Sequence, residues 1–569
     1  MFMRKKSHQN IFRIMIILPL LCLGVAACSV LRAGGSKEAG GNPGEESGSR
    51  RQILNLQLDA EVSTLDPQAA VDSTSFEVIA CMMEGLYTID GKENPTPAMA
   101  ESMTVSEDGK RYCFTLRDAV WSDGRPVTAA DFVYGWRRGI SPEQGNENGA
   151  LFAVAGIAGA EEILSGRMEA EGLGIRAVDE RTLEVEFTRA QPFFLSMLAL
   201  PEFFPVNQEF YESCGGSYGT SPDTVLSNGA FCLESYQPAC QEIRLKKNQA
   251  YWQAEQVKLE GLNYQVVKDS QQAVMSYEKG QLDMALLSGE QAERFRESED
   301  FYSVPLGSLW YISPNQKTAG LENEALRKAI ALSFDKEAAA AQVLKDGSKA
   351  AYGAVPAKSM YGPEGEDFRD GAVRYLDGDL ELAREYFEQA KKELGREQFT
   401  FTLLVEDMEA SRNLGQFLQE EIGRALPGVE IQLEPVPKKM RLERMAAGDY
   451  ELGLARWGAD YSDPLAFLGM WTSDSSFNYG SWENEEYDRM IETAANGKAE
   501  GGAAGRWKLL HEAEAVLMES AGIFPVCEKA NGILLRSSVK GAQFHAIGVN
   551  RVWTHAWKEE GEENSQNRK

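Results

Sequence analysis

With 569 residues the chain exceeds one hydrophobic core and implies two or three domains. Its 86 acidic against 58 basic residues give a formal charge of −28, which excludes a nucleic-acid partner because no basic surplus exists to release counterions from phosphates. Apolar content of 43% and charged content of 25% are those of an ordinary globular protein.

Residues 1–27 read as an export signal. Arg4, Lys5, Lys6 and Arg13 form a basic start, and Ile14 to Gly24 form an apolar run too short to span a bilayer. The run ends in Val25-Ala26-Ala27-Cys28, which resembles a bacterial lipobox with Cys28 as the lipidated residue. Cleavage there removes four cations and takes the formal charge from −28 to −32. Residues 28–51, rich in Gly, Ser and Glu, read as a flexible tether, and residues 559–569 as a polar tail. Of eight cysteines, Cys81, Cys113, Cys214, Cys232, Cys240 and Cys527 remain after Cys22 and Cys28. None forms CxxC. Cys232 and Cys240 flank a hairpin turn and are candidates for a disulfide, which export permits.

Leu54, Leu56 and Leu58 alternate with polar residues and predict a strand, followed by a turn at Asp66-Pro67. Glu107-Asp108-Gly109 predicts a hairpin turn, and Thr128 with Asp131 a capping box that starts a helix. Leu183 to Phe187 alternates as a strand, and Gln191 to Phe194 opens a short helix. Ser270 to Gly280 reads as a helix. Helical spacing of Leu326, Ala329, Ile330 and Phe334 predicts one helix from Glu324 to Lys345. Asp379 caps a helix that Gly395 stops. Strands at Phe399–Val405 and Val429–Leu433 around a helix at 411–425 imply an α/β lobe. Helices follow near 484–496 and 506–520, and Ile523 to Cys527 crosses back toward the first domain.

The most informative stretch is Arg456-Trp457-Gly458-Ala459-Asp460-Tyr461-Ser462-Asp463-Pro464. Pro464 forces the residues before it out of helix, so an extended segment with buried Leu452 and Leu454 runs into a turn. On spacing alone an Asp here reads as a helix cap beside two core aromatics. The stretch, with Phe467-Leu468 after it, is similar to the signature of oligopeptide-binding proteins of ABC importers, family 5 of the extracytoplasmic solute-binding proteins. Leu65-Asp66-Pro67, Glu84-Gly85-Leu86, Trp121-Ser122-Asp123-Gly124 and Leu326 to Lys336 carry the same resemblance, which covers nearly everything from Leu54 to Trp557.

The resemblance implies an α/β, periplasmic-binding-protein-like two-lobed fold (class II type) with an extra domain, three in all. Domain I is expected at 52–83, 206–308 and 528–558, domain II at 84–205 and domain III at 309–527. It implies no enzyme activity and no cofactor. The ligand is an oligopeptide, and the partners are the permease and ATPase subunits of an importer. The chain is expected to be a monomer held to the membrane by its lipid anchor alone. Asp460 is expected to hold the peptide α-ammonium, Trp457, Gly458 and Ala459 to pair with the peptide backbone, and Arg456 and Tyr461 to line the cleft. Val71, Asp72 and Ser73 form the opposite wall, with Asn478 nearby. The chain departs from relatives at Gly458, where a Cys is found, and at Leu454, where one carries a basic residue; Arg456 supplies a cation two positions later. Other solutes of the same family (dipeptide, oligosaccharide, opine, nickel chelate) stay open.

Other chemistry has weaker support. Gly215-Gly216-Ser217-Tyr218-Gly219 matches a nucleophile elbow, which would make a secreted serine hydrolase, but lacks the strand before and the helix after. No zinc-like spacing and no P-loop are present, so ATP hydrolysis belongs to a partner. Trp310, Trp457, Tyr461 and Trp471 are candidate cleft aromatics.

Overall fold

The computed structural model describes residues 52–142 and 149–559. The export signal, Cys28, the tether and all but the first residue of the tail lie outside the described residues. Among those described, no helix is long and apolar enough to cross a membrane. By their contacts residues 50–569 form one unit.

Strand β1 (Ile53–Leu58) buries Leu54, Leu56 and Leu58 completely, as the alternation predicts. Gln57 on its other face is also buried, with its amide donating to the Val267 carbonyl at 2.6 Å and accepting from Leu286 N at 2.7 Å. Both faces of β1 are therefore covered, as parallel strands require, and β1 runs parallel to Gly261–Val266. Helix α1 (Ser73–Met82) follows, capped by Asp72.

One eleven-stranded mixed sheet ties the chain together. Two long strands stand at its centre, β2 (Phe301–Pro314) and β4 (Phe524–Leu535), paired antiparallel. On one side lie β3 (Leu452–Gly458), Phe399–Glu406 and Val429–Val436; on the other lie Met284–Leu287, β1, Gly261–Val266, Glu242–Lys247 and Phe231–Ser235, while the short Lys349–Ala350 pairs with β4 off this path. The β2/β4 register slips between Pro305 and Ser308, where Gly307 has φ +49°. A Cβ at Gly307 would lie 2.7 Å from Ile547 Cγ1 and 2.9 Å from the Ala546 carbonyl, so only glycine fits. A separate four-stranded sheet orders Ala100–Val105, Arg111–Leu116, Thr182–Glu186 and Ile175–Ala177.

Local signals mostly hold. Thr128 and Asp131 make the reciprocal capping box, Asp379 accepts from Glu381 N and Leu382 N, and Gly395 is left-handed at the helix end. Two expectations are corrected. The helix from Glu324 ends at Leu332, and Asp335 caps a new turn by accepting from Ala338 N, followed by a π-turn over Ala339–Leu344. Cys232 and Cys240 are both free thiols, because Cys232 pairs across the hairpin with Lys246 while Cys240 sits in its turn. Ser217 lies in a loop with left-handed glycines at 215, 216 and 219, after a short helix rather than a strand.

Candidate functional site

Strand β3 places the site. It pairs with β2 along its whole length, Leu452 to Gly458. On its other edge Phe399–Glu406 reaches only Leu452 and Gly453. From Leu454 onward that edge has no strand beside it among the described residues, and Arg456 and Gly458 are exposed there. Backbone donors and acceptors on such an edge pair readily with an extended segment from outside. Gly458 has a local cause: a Cβ there would come within 2.7 Å of Ser308 Oγ on β2.

The turn after β3 separates two aspartates. Asp463 is buried, accepts from Leu465 N at 3.0 Å and takes two 2.8 Å hydrogen bonds from Arg506. The capping role that spacing suggested for an Asp therefore belongs to Asp463. The Asp460 carboxylate has no hydrogen-bond or ion-pair partner among the described residues. It is exposed, yet the protein around it strips enough water to push its carboxyl above the usual range. Glu202, only 2% exposed, lies close enough to feel that charge; burial, and then the charge of Asp460, push its carboxyl up to about 8, so it is protonated and neutral at pH 7. Tyr461 stacks on Phe193 with ring centroids 4.5 Å apart and planes at 22°.

Trp457 is half-buried, donates from Nε1 to the Ala466 carbonyl at 2.9 Å and lies 5.0 Å from Phe477, a large exposed aromatic. Arg456 stands over Trp310, 5.6 Å from the ring centroid. Trp310 and Trp471 are each 3% exposed and belong to the core, contrary to the cleft role considered for them. Asn478 is committed locally: its amide donates to the Thr472 and Trp482 carbonyls at 3.2 and 2.7 Å. Asp72 is likewise engaged with Ser75 N at 2.8 Å and Ser63 Oγ at 2.5 Å. Val71 is 50% exposed, and Ser73 lines a narrow cavity with Val304, Leu306 and Asn531 over the β2/β4 crossing. Asp460 lines a different cavity, and segment 547–552 contributes to both. Sequence reasoning missed Glu202, Phe193 and a buried His545–Glu93 pair, which chain folding alone brings near Asp460.

Residues 94–479 match the model of the bacterial extracellular solute-binding proteins, family 5 Middle. The chain belongs to this family. Among relatives of family 5, the dipeptide-binding protein DppE of Bacillus subtilis is 29% identical over 536 residues, covering 94% of this chain and 96% of the relative. The Listeria monocytogenes OppA bound to peptide is 32% identical, covers 90% of this chain and 100% of its own, and superposes with a TM-score of 0.68. The unliganded open form of the periplasmic murein tripeptide binding protein MppA covers 90% and 98% and reaches 0.79 at 25% identity. The chain thus has the two-lobed α/β fold of family 5. As a member of this family it binds solutes and is not an enzyme.

Proposed function

We propose that the chain is a lipid-anchored extracytoplasmic receptor that captures oligopeptides in a closing cleft and delivers them to the permease and ATPase subunits of an ABC importer. The observation that carries the reading is an uncompensated carboxylate, Asp460, at the end of a strand whose outer edge is open. Peptides of different sequence share a backbone and a charged amino end. An open edge offers hydrogen bonds to the first, and an unpaired carboxylate holds the second, at roughly 1.5–3 kcal/mol for the charge-assisted bond. Trp457, Gly458 and Ala459 pair with the backbone; Arg456, two residues before the exposed Gly458, meets the carboxylate end or an acidic side chain.

Domain I comprises 52–83, 206–308 and 528–558, domain II 84–205 and domain III 309–527. β2 and β4 are the crossings, and the irregular pairing at Gly307 is where they flex. Val71 to Ser73 faces Asp460 after closure, and the receptor acts as a monomer.

A shorter ligand is the second reading, favoured by the likeness to a dipeptide-binding relative. A sugar is disfavoured because Trp310 and Trp471, which would have served as stacking platforms, are buried. Native mass spectrometry of the protein purified from its own host tests the class. Bound masses that fragment as peptides are expected; a sugar, opine or metal chelate in the cleft would overturn the reading. The anchor rests on Val25 to Cys28, and Cys28→Ala is expected to release a folded protein from the membrane. Unchanged membrane association of that variant would exclude lipidation at Cys28.

A further inference from the structure

Asp460 also lines the wall of a narrow cavity of about 70 Å3. Glu84, Glu93, Asp460 and His545 are among its lining residues and no Lys or Arg is; Arg117 lies outside the lining but close enough to act on the Glu84 carboxyl. Leu200, Phe204 and Ile547 supply an apolar side. Glu84 accepts from Tyr251 Oη at 2.8 Å and Trp252 Nε1 at 2.7 Å, so its carboxylate is fixed in place.

His545 makes the cavity more than an acidic cluster. The ring is 2% exposed, its Nδ1 lies 2.8 Å from Glu93 Oε1, and its Nε2 is buried with no hydrogen-bond partner. Glu93 is held toward it by a left-handed turn, φ +63°, closed by Glu93 N donating to the Asp90 carbonyl at 3.0 Å. In the neutral ring protonated at Nδ1, that N–H donates to the Glu93 carboxylate, and Nε2 is left an acceptor. A buried acceptor without a donor is costly, so the cavity is built for a group that donates. Glu93 and Asp460 line it without a Lys or Arg beside them in the lining, which favours a donor that is positively charged.

We propose that this cavity receives the side chain of a bound peptide's first residue and selects a basic one, lysine above all. The proposal rests on the reading of Asp460 as the α-ammonium anchor, which sets the first residue at the cavity mouth. The methylene stem then lies along Leu200, Phe204 and Ile547, and the ε-ammonium donates to His545 Nε2 between Glu84 and Glu93.

The test is calorimetric titration at pH 8 with Lys-Ala-Ala, norleucine-Ala-Ala and Ala-Ala-Ala, the norleucine keeping the stem without the charge. Lys-Ala-Ala is expected to bind wild type at least about tenfold more tightly than norleucine-Ala-Ala. The ratio is expected to fall toward one in His545→Phe and in Glu93→Gln, with thermal unfolding confirming that each variant is folded. Should either variant fail to fold, the wild-type ratio decides alone. A ratio near one for wild type overturns the lysine site; if binding is still abolished by N-acetylation, the anchor at Asp460 survives. A preference that persists in both folded variants also overturns it. If none of the three peptides binds, the lysine site is overturned, while a dipeptide and a longer peptide titrated alongside decide whether the peptide reading stands.

Discussion

Asp463 and Arg506 meet in a bidentate pair, two hydrogen bonds of 2.8 Å between side chains that are each about a tenth exposed. The pair fastens the end of the Asp460 turn to the helix Gly502–Glu519, while Asp463 also accepts from Leu465 N. Three residues apart, one aspartate is fully used by the fold and the other has no partner among the described residues.

Breaking that pair from one side is expected to hurt stability and geometry together. Arg506→Ala leaves the Asp463 charge buried without its partner, a change that costs about 3–5 kcal/mol. Urea unfolding should show the loss, and solute affinity should fall with it because the Asp460 turn is no longer held. A variant as stable as wild type would mean the pair contributes nothing.

Glu202 predicts a pH dependence of stability. Its folded carboxyl titrates at about 8, against an ordinary value near 4.5, because burial disfavours its charge. The unfolded chain therefore holds fewer protons at this site between those values. The Glu202 contribution is fully present below about pH 4.5 and is lost as pH rises through 8, at up to roughly 1.4 kcal/mol per pH unit. Glu202→Gln should flatten that part of the stability profile of the unliganded protein. Parallel profiles for the two proteins between pH 5 and 8 would contradict the assignment.

Closure is measurable in solution. The two-lobed fold it shares with an unliganded open relative and a peptide-bound one is the kind that closes on its ligand. Adding ligand is expected to lower the radius of gyration in solution scattering and to raise the melting temperature by mass action. Tight binding with no compaction would argue against a closing cleft.

What was legible in the sequence is what neighbouring residues decide. The capping box at Thr128 and Asp131, the Asp379 cap and the Gly395 stop each depend on side chains within a turn of the backbone they serve. The break at Ser333 was hidden because Ala339, Ala340 and Leu344 continue a buried pattern past the helix end, so periodicity alone carried the helix through. At the site, β3 and its turn were readable from Pro464 and the family signature. The division of labour between Asp460 and Asp463 was not, because Arg506 lies 43 residues away. Glu93 and His545 are 452 positions apart, and nothing local to either announces the other. The same holds for Phe193 on Tyr461: a stack between remote loops leaves no periodic trace.

The central claim is that Asp460 holds a peptide α-ammonium, and calorimetric titration of wild type and Asp460→Asn with one peptide, free and N-acetylated, tests it most directly. Removing either partner of a desolvated charge pair typically costs about 2–5 kcal/mol, or roughly 30- to several-thousand-fold in affinity. Each single change should therefore weaken binding by that order, and the two together by much less than their sum, because both remove one interaction. Equal binding of free and acetylated peptide by wild type would contradict the account.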